Sequence, residues 1–218
     1  MLFYKITCIV WLLANERRLI DIQLQEIASV KQGVNVTRVE IDASVPDAKS
    51  VGVLTLKEFN ESMGVPYRLE HDKDTRIWIE TTQLDKIRLT EENMVVIHLL
   101  SQRAASIPLM YEKLLIPSNF VVIDFEERVD SKFVEWYFNE HVDARRQFSL
   151  ATQGTSVSSL SIGMLREMEV SLPPVQLQKR IGKLVRAVQH KRRLIDEKIK
   201  LEDQYVNELI SVKMEEVK

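Results

Sequence analysis

The chain has 218 residues, 45% of them apolar and 28% charged, which excludes a disordered polymer and allows one sizeable domain plus a further long element. A single cysteine, Cys8, excludes an internal disulfide or a cysteine metal cluster and fits a reducing, cytoplasmic setting. The net charge of −2 is unevenly spread, with 11 basic and 7 acidic residues in 173–218 against 19 and 25 in 1–172; an acidic body excludes sequence-independent coating of nucleic acid but leaves room for a local basic footprint.

The apolar run from Ile6 to Ala14 is nine residues long, well short of the roughly 20 that a membrane helix needs. Arg17 and Arg18 lie on the wrong side of it for a secretory signal, so a buried strand or short helix is expected. Asp21 to Val30 mixes alternation with a short helical pattern, and Gly33 is expected to turn the chain. Residues 34–50 read as strand and loop closing near Pro46-Asp47, and Val51 to Leu56 as a strand. Tyr67 to Asp74 is polar and turn-rich, and Ile77-Trp78-Ile79 resumes extended structure.

Asn93 to Leu100 is the strongest buried-strand pattern and Phe120 to Phe125 the second. Asp130 to Asn139 has a capping residue followed by helical spacing. Ala151 to Ser161 reads as a small-polar loop, and Leu165 to Leu172 as a final strand. Trp78, Trp136 and Phe138 are expected in the core. The fold class is α+β: a mixed domain over residues 1–172, then one long helix over 173–218.

That helix starts at Leu172-Pro173-Pro174. Proline cannot continue a preceding strand or helix, yet suits the first turn of a new one. No further proline follows, and Gly182 is the only later glycine. Val185, Val188, Ile195, Ile199, Val206 and Leu209 alternate in steps of three and four once Arg192 and Glu202 fill the two polar positions. This is a heptad-like seam that calls for a partner helix; an ordinary amphipathic helix packed on its own domain is the plainer alternative. In an antiparallel pair Arg192 and Glu202 could meet. Leu194, Leu201 and Tyr205 lie off the seam and point to a second contacting surface.

Several segments carry a family resemblance: Leu24 to Ala28 with Lys31-Gln32-Gly33, Leu115 to Ile123, Lys132 to Asn139, Thr152 to Ser161, and Val170 to Ile181 through the double proline. In order and spacing they resemble a type I restriction–modification specificity subunit in half-length form. The resemblance implies a target recognition domain that reads half of a bipartite sequence in double-stranded DNA, and a helix that serves as dimer spacer and docking post. It implies as partners a second copy or another half-subunit, methyltransferase subunits and restriction or translocase subunits. No cofactor belongs to the chain itself; S-adenosylmethionine is expected on the methyltransferase. A homodimer is expected to read a palindromic split site. Where the family often carries a glycine-bearing Ser-Arg-Gly type loop, this chain has Leu100 to Ser106 without glycine.

Reading bases needs forked donors and amides on exposed loops. Gln102 and Arg103, Lys31 and Gln32, and Gln153, Gly154, Thr155 and Ser156 meet that need, against plain loop or turn roles. Arg145 and Arg146, at an expected helix end, suit phosphate or the helix dipole. Lys191-Arg192-Arg193 lies on the long helix and faces solvent or a partner. Catalytic signatures are missing: there is no G-x-G-x-x-G, no phosphate-loop lysine and no Asn/Asp-Pro-Pro-aromatic motif, so a non-catalytic subunit is expected. A protein–protein adaptor that dimerises without reading DNA is the alternative. A metal site at His71 to Asp74 is the weaker third reading.

Overall fold

The computed structural model describes residues 20–67, 75–125, 129–152 and 159–215. In chain order, strand β1 (Ile20–Gln23), the single turn α1 (Leu24–Ile27) and strand β2 (Ala28–Gln32) are followed by the turn α2 (Val36–Val39). Strand β3 (Ala48–Gly52), helix α3 (Leu56–Ser62), strand β4 (Arg76–Glu80) and the turn α4 (Thr81–Leu84) come next. A hairpin of β5 (Val95–His98) and β6 (Arg103–Ser106) precedes strand β7 (Phe120–Phe125). Helices α5 (Ser131–Glu140), α6 (Val142–Thr152) and α7 (Ile162–Glu167), strand β8 (Glu169–Leu172) and the 41-residue helix α8 (Val175–Glu215) complete the α+β fold. At 1.5 Å per residue α8 is about 61 Å long. No helix among the described residues is long and apolar enough to cross a membrane.

The chain divides into two compact units. Met1–Gln32, Val95–Ala104 and Asn119–Gly182 make the first; Gly33–Met94, Ala105–Ser118 and Lys183–Lys218 make the second. In the first unit β7 is the spine of a sheet ordered β2-β7-β5-β6. It pairs antiparallel with β2 (Val30 opposite Ile123) and with β5 (Val95 opposite Ile123). All four residues of β5 are buried, as expected of an apolar run covered on both faces. Beside this sheet β1 pairs antiparallel with β8, Ile22 opposite Val170.

Leu24, Ile97, Val121, Phe138, Phe148 and Leu165 form one core with at most 1% of their surface exposed. Asp130 caps α5 by accepting from the Phe133 N–H at 3.0 Å, which leaves Phe133, Val134, Tyr137 and Phe138 facing that core. The first turns of α8 are tied to the same place. Buried Gln178 accepts from the Asp130 N–H at 3.1 Å and donates to the Pro173 carbonyl at 2.8 Å. One turn on, a Cβ at Gly182 would stand 2.0 Å from Asp130 Oδ1. The lone glycine of the helix is there so that Asp130 can approach.

In the second unit β3 and β4 form an antiparallel ribbon, Ser50 opposite Trp78. Val51, Val53, Ile77, Ile79 and Leu115 pack as its core. Gly33 is required by contact rather than by turning: a Cβ would meet the Pro117 carbonyl oxygen at 2.2 Å, while the Val34 N–H donates to Ile116 at 2.8 Å. Thr90 is buried with both roles of its hydroxyl used, donating to Tyr111 O at 2.6 Å and accepting from Leu114 N at 2.8 Å. Tyr111 donates to the Glu61 carboxylate; burial, then Glu61, holds its phenol well above the ordinary range.

Four expectations are corrected. Val51 to Leu56 is a strand only as far as Gly52, because Thr55 and Glu58 form a capping box that opens α3. The first part of Leu165 to Leu172 is helical: Ser161 accepts from Met164 N at 3.2 Å and launches α7 before β8 begins. Residues 34–50 include the turn α2, which alternation did not anticipate. Trp78 is 40% exposed, because period-two alternation on β4 sends Ile77 and Ile79 inward and Trp78 outward; Phe138 is buried and Trp136 half-buried. The Ile6 to Ala14 segment and the His71 to Asp74 metal reading lie outside the described residues.

Candidate nucleic-acid interface and helix seam

Of the six described residues singled out for DNA contact, the first unit brings four, Lys31, Gln32, Gln102 and Arg103, to one end of its four-stranded sheet. Lys31 and Gln32 lie opposite Val122 and Val121 of β7, and Ile97 of β5 lies opposite Val121 on the other side. Gln32, Phe120, His98 and Arg103 therefore mark the same end of four adjacent strands. β2 and β6 are the two edges of the sheet, three strand spacings of about 4.8 Å apart, roughly 14 Å in all. Lys31 and Gln32 are exposed, and Gln102 and Arg103 are half-buried.

Between His98 and Arg103 the chain reverses in four residues, closed by the Gln102 N–H donating to the His98 carbonyl at 2.9 Å. Reversal this tight needs a left-handed residue, and Gln102 fills that place with φ +55°. Glutamine holds this left-handed conformation at a cost of about 1 kcal/mol relative to the right-handed one. His98 is buried beneath the tip. Its ring lies 4.9 Å from that of Phe120, and its Nδ1 accepts from the Ser101 N–H at 3.2 Å and meets the Ser101 hydroxyl at 2.9 Å. Burial pushes the imidazole pKa below its ordinary value, so the neutral ring is favoured.

Helix α6 brings a second group to this tip. Arg145 donates from Nη1 to the Gln102 carbonyl at 3.5 Å, and the Gln102 amide donates to Thr152 Oγ1 at 3.4 Å. Arg145 and Arg146 are exposed in the second turn of α6 and not at its end. A role complementing the negative pole at a helix C-terminus is thereby removed. Thr152 ends the helix expected to have stopped earlier. Gln153, Gly154, Thr155 and Ser156 lie outside the described residues. His98, inside the turn, and Asn139, bonded to Ala104 on β6, also hold the hairpin; neither residue type nor spacing marked them.

The seam of α8 is uncovered. Val188, Ile195, Ile199, Val206 and Leu209 are 46–51% exposed, and Val185 is half-buried. Arg192 and Glu202 are exposed, Glu202 3.5 Å from Lys198 one turn back. Leu194, Leu201 and Tyr205, 50–63% exposed, line a second shallow groove with Glu197 and Lys198.

This arrangement of mixed domain and long helix has solved counterparts. No family model and no curated protein matches the chain. The S subunit of a type I restriction–modification system from M. genitalium is similar to it at a TM-score of 0.55 and 13% identity, over 91% of this chain and 47% of that one. The chain has the fold of a type I specificity subunit. A chain from a study of complex assembly and conformational transition in the type I R-M system gives a TM-score of 0.56 at 11% identity, over 87% of this chain and 43% of that one. The HsdS subunit of Thermoanaerobacter tengcongensis gives 0.50 at 14%, over 82% and 39%. This chain spans less than half the length of each.

Proposed function

We propose that this chain is a non-catalytic, half-length specificity subunit of a type I restriction–modification system. Residues 1–172 act as the target recognition domain, and residues 173–218 as the spacer and dimer helix. Two copies joined along Val185, Val188, Arg192, Ile195, Ile199, Glu202, Val206 and Leu209 present two domains to one duplex and read inverted half-sites. Gln102, Arg103, Lys31 and Gln32 reach base edges, with Arg145, Arg146 and the segment Gln153, Gly154, Thr155 and Ser156 beside them on bases and phosphates. Methyltransferase subunits dock on the helix pair and carry S-adenosylmethionine; restriction or translocase subunits join that assembly.

The observation that carries the reading is the apolar stripe of α8, about half exposed from Val188 to Leu209, in a chain with the specificity-subunit fold. A helix face of that kind is stable only when a second helix covers it. The acidic balance of residues 1–172 favours the second reading, an adaptor that dimerises without reading DNA.

The test is co-expression with the methyltransferase, pull-down of the complex and methylation-sensitive sequencing of the host DNA. A split palindromic motif that vanishes on deleting residues 175–218 is the expected result. A complex that forms and leaves no motif selects the adaptor.

A further inference from the structure

Beyond the contacts of Arg145 and Thr152 with Gln102, the hairpin that carries Gln102 and Arg103 is held by Asn139 at Ala104, the next residue along the strand. Among the described residues β6 is an edge strand of the sheet, where outward N–H and C=O groups look beyond the ladder for partners. At Ala104 both are taken by Asn139, which ends the buried face of α5. Its Oδ1 accepts from the Ala104 N–H at 2.9 Å, and its Nδ2 donates to the Ala104 carbonyl at 2.7 Å. The amide thus extends the sheet by one peptide unit at the residue following Arg103. Opposite it, the His98 ring fixes Ser101 inside the turn. Between the two clamps Gln102 is kept at φ +55°, a conformation that glutamine leaves unless its surroundings hold it there.

We propose that Asn139, assisted by His98, is a positioning residue for base reading: it sets the Leu99 to Arg103 tip in the one conformation that aims Gln102 and Arg103. This rests on the DNA-reading proposal above. Bidentate amide and guanidinium contacts to bases need accurate placement of both donors and acceptors, whereas phosphate contacts by exposed Arg145 and Arg146 do not. The strain at Gln102 and the clamp at Ala104 are the device by which a loop without glycine keeps a fixed shape.

The experiment uses the full chain in complex with its methyltransferase, comparing wild type, Asn139→Ala, Asn139→Asp and Gln102→Ala. The readouts are the methylated motif, affinity for duplexes altered one base pair at a time, and exchange of the Ala104 amide proton. Asn139→Ala is expected to lower discrimination about ten-fold at the base pairs that Gln102→Ala also relaxes. Binding to unrelated duplex and its salt dependence stay unchanged, and Ala104 exchanges faster. Asn139→Asp, which keeps the acceptor and loses the donor, falls between. A uniform loss of affinity across all sequences, or a motif that Asn139→Ala leaves intact, overturns the positioning role alone. A wild-type complex without any motif overturns the DNA-reading proposal as well.

Discussion

Reversing the charge of Arg192 tests how two copies of α8 meet. The seam is symmetric about Glu197: an antiparallel pair with its two-fold axis there sets Val185 against Leu209, Val188 against Val206, Ile195 against Ile199 and Arg192 against Glu202. A parallel pair in register would set Arg192 against Arg192 and Glu202 against Glu202. The apolar positions are already about half covered in the single chain, so completing their burial contributes about 1 kcal/mol each, half of the usual 1.5–3 kcal/mol. Over the two helices that is about 12 kcal/mol, which association costs of about 4–15 kcal/mol largely offset. The polar layers therefore decide the balance. Each partly exposed charge pair contributes about 0.5–1 kcal/mol, and symmetry places the layer twice. Arg192→Glu turns attraction into repulsion in both layers, so the dimer weakens by about 2–4 kcal/mol, roughly 30- to 1,000-fold in Kd. Glu202→Arg behaves alike, apart from the few tenths of a kcal/mol from losing its surface pair with Lys198. The double variant restores the wild-type Kd. Sedimentation equilibrium of the four proteins reads this directly. A Kd unmoved by Arg192→Glu, or a double variant no better than the singles, refutes the antiparallel seam.

Gly182→Ala gains about 1 kcal/mol of helix propensity but drives a Cβ into the Asp130 carboxylate that caps α5. A net loss of about 1–3 kcal/mol is expected in urea denaturation, and a raised Tm would contradict it. Ile79→Ala, at a position with 0% exposure, costs about 2–5 kcal/mol, whereas Trp78→Ala costs under about 1 kcal/mol; the reverse order would place the wrong face of β4 inward. For His98, burial favours the neutral ring, so the unfolded chain binds the extra proton first as pH falls. Stability is complete above the ordinary histidine value of 6.5 and declines as pH drops from there through the lowered folded pKa. His98→Gln should flatten that acid limb in thermal melts taken below pH 6.5; an unchanged limb would remove His98 as its source.

Much of this was legible in the chain because it is written in local chemistry. The double proline and the long three–four periodicity marked α8, and the apolar runs marked β5 and β7, since both patterns report burial directly. Thr55 and Glu58 also spell a capping box, and the start of α3 could have been read from them; the apolar Val51 to Leu56 run masked it. Trp78 shows the opposite limit. Large aromatics are usually buried, but the pleat of β4 puts it on the face away from Ile77 and Ile79. Within the candidate interface, residue type singled out Gln102 and Arg103 as exposed loop donors, whereas Arg103 opens β6 and both are half-buried. Asn139 and Gly182 were illegible: the contacts that explain them, with Ala104 and Asp130, link positions 35 and 52 residues apart, and no local pattern encodes them.

In the proposed assembly, two copies joined through α8 read one duplex. Native mass measurement of the assembly on a duplex carrying the motif from the methylation map tests it most directly. Two copies of this chain per duplex are expected on an inverted repeat of the half-site, with loss of that species on a direct repeat. One copy per duplex, or equal binding to both repeats, would contradict it.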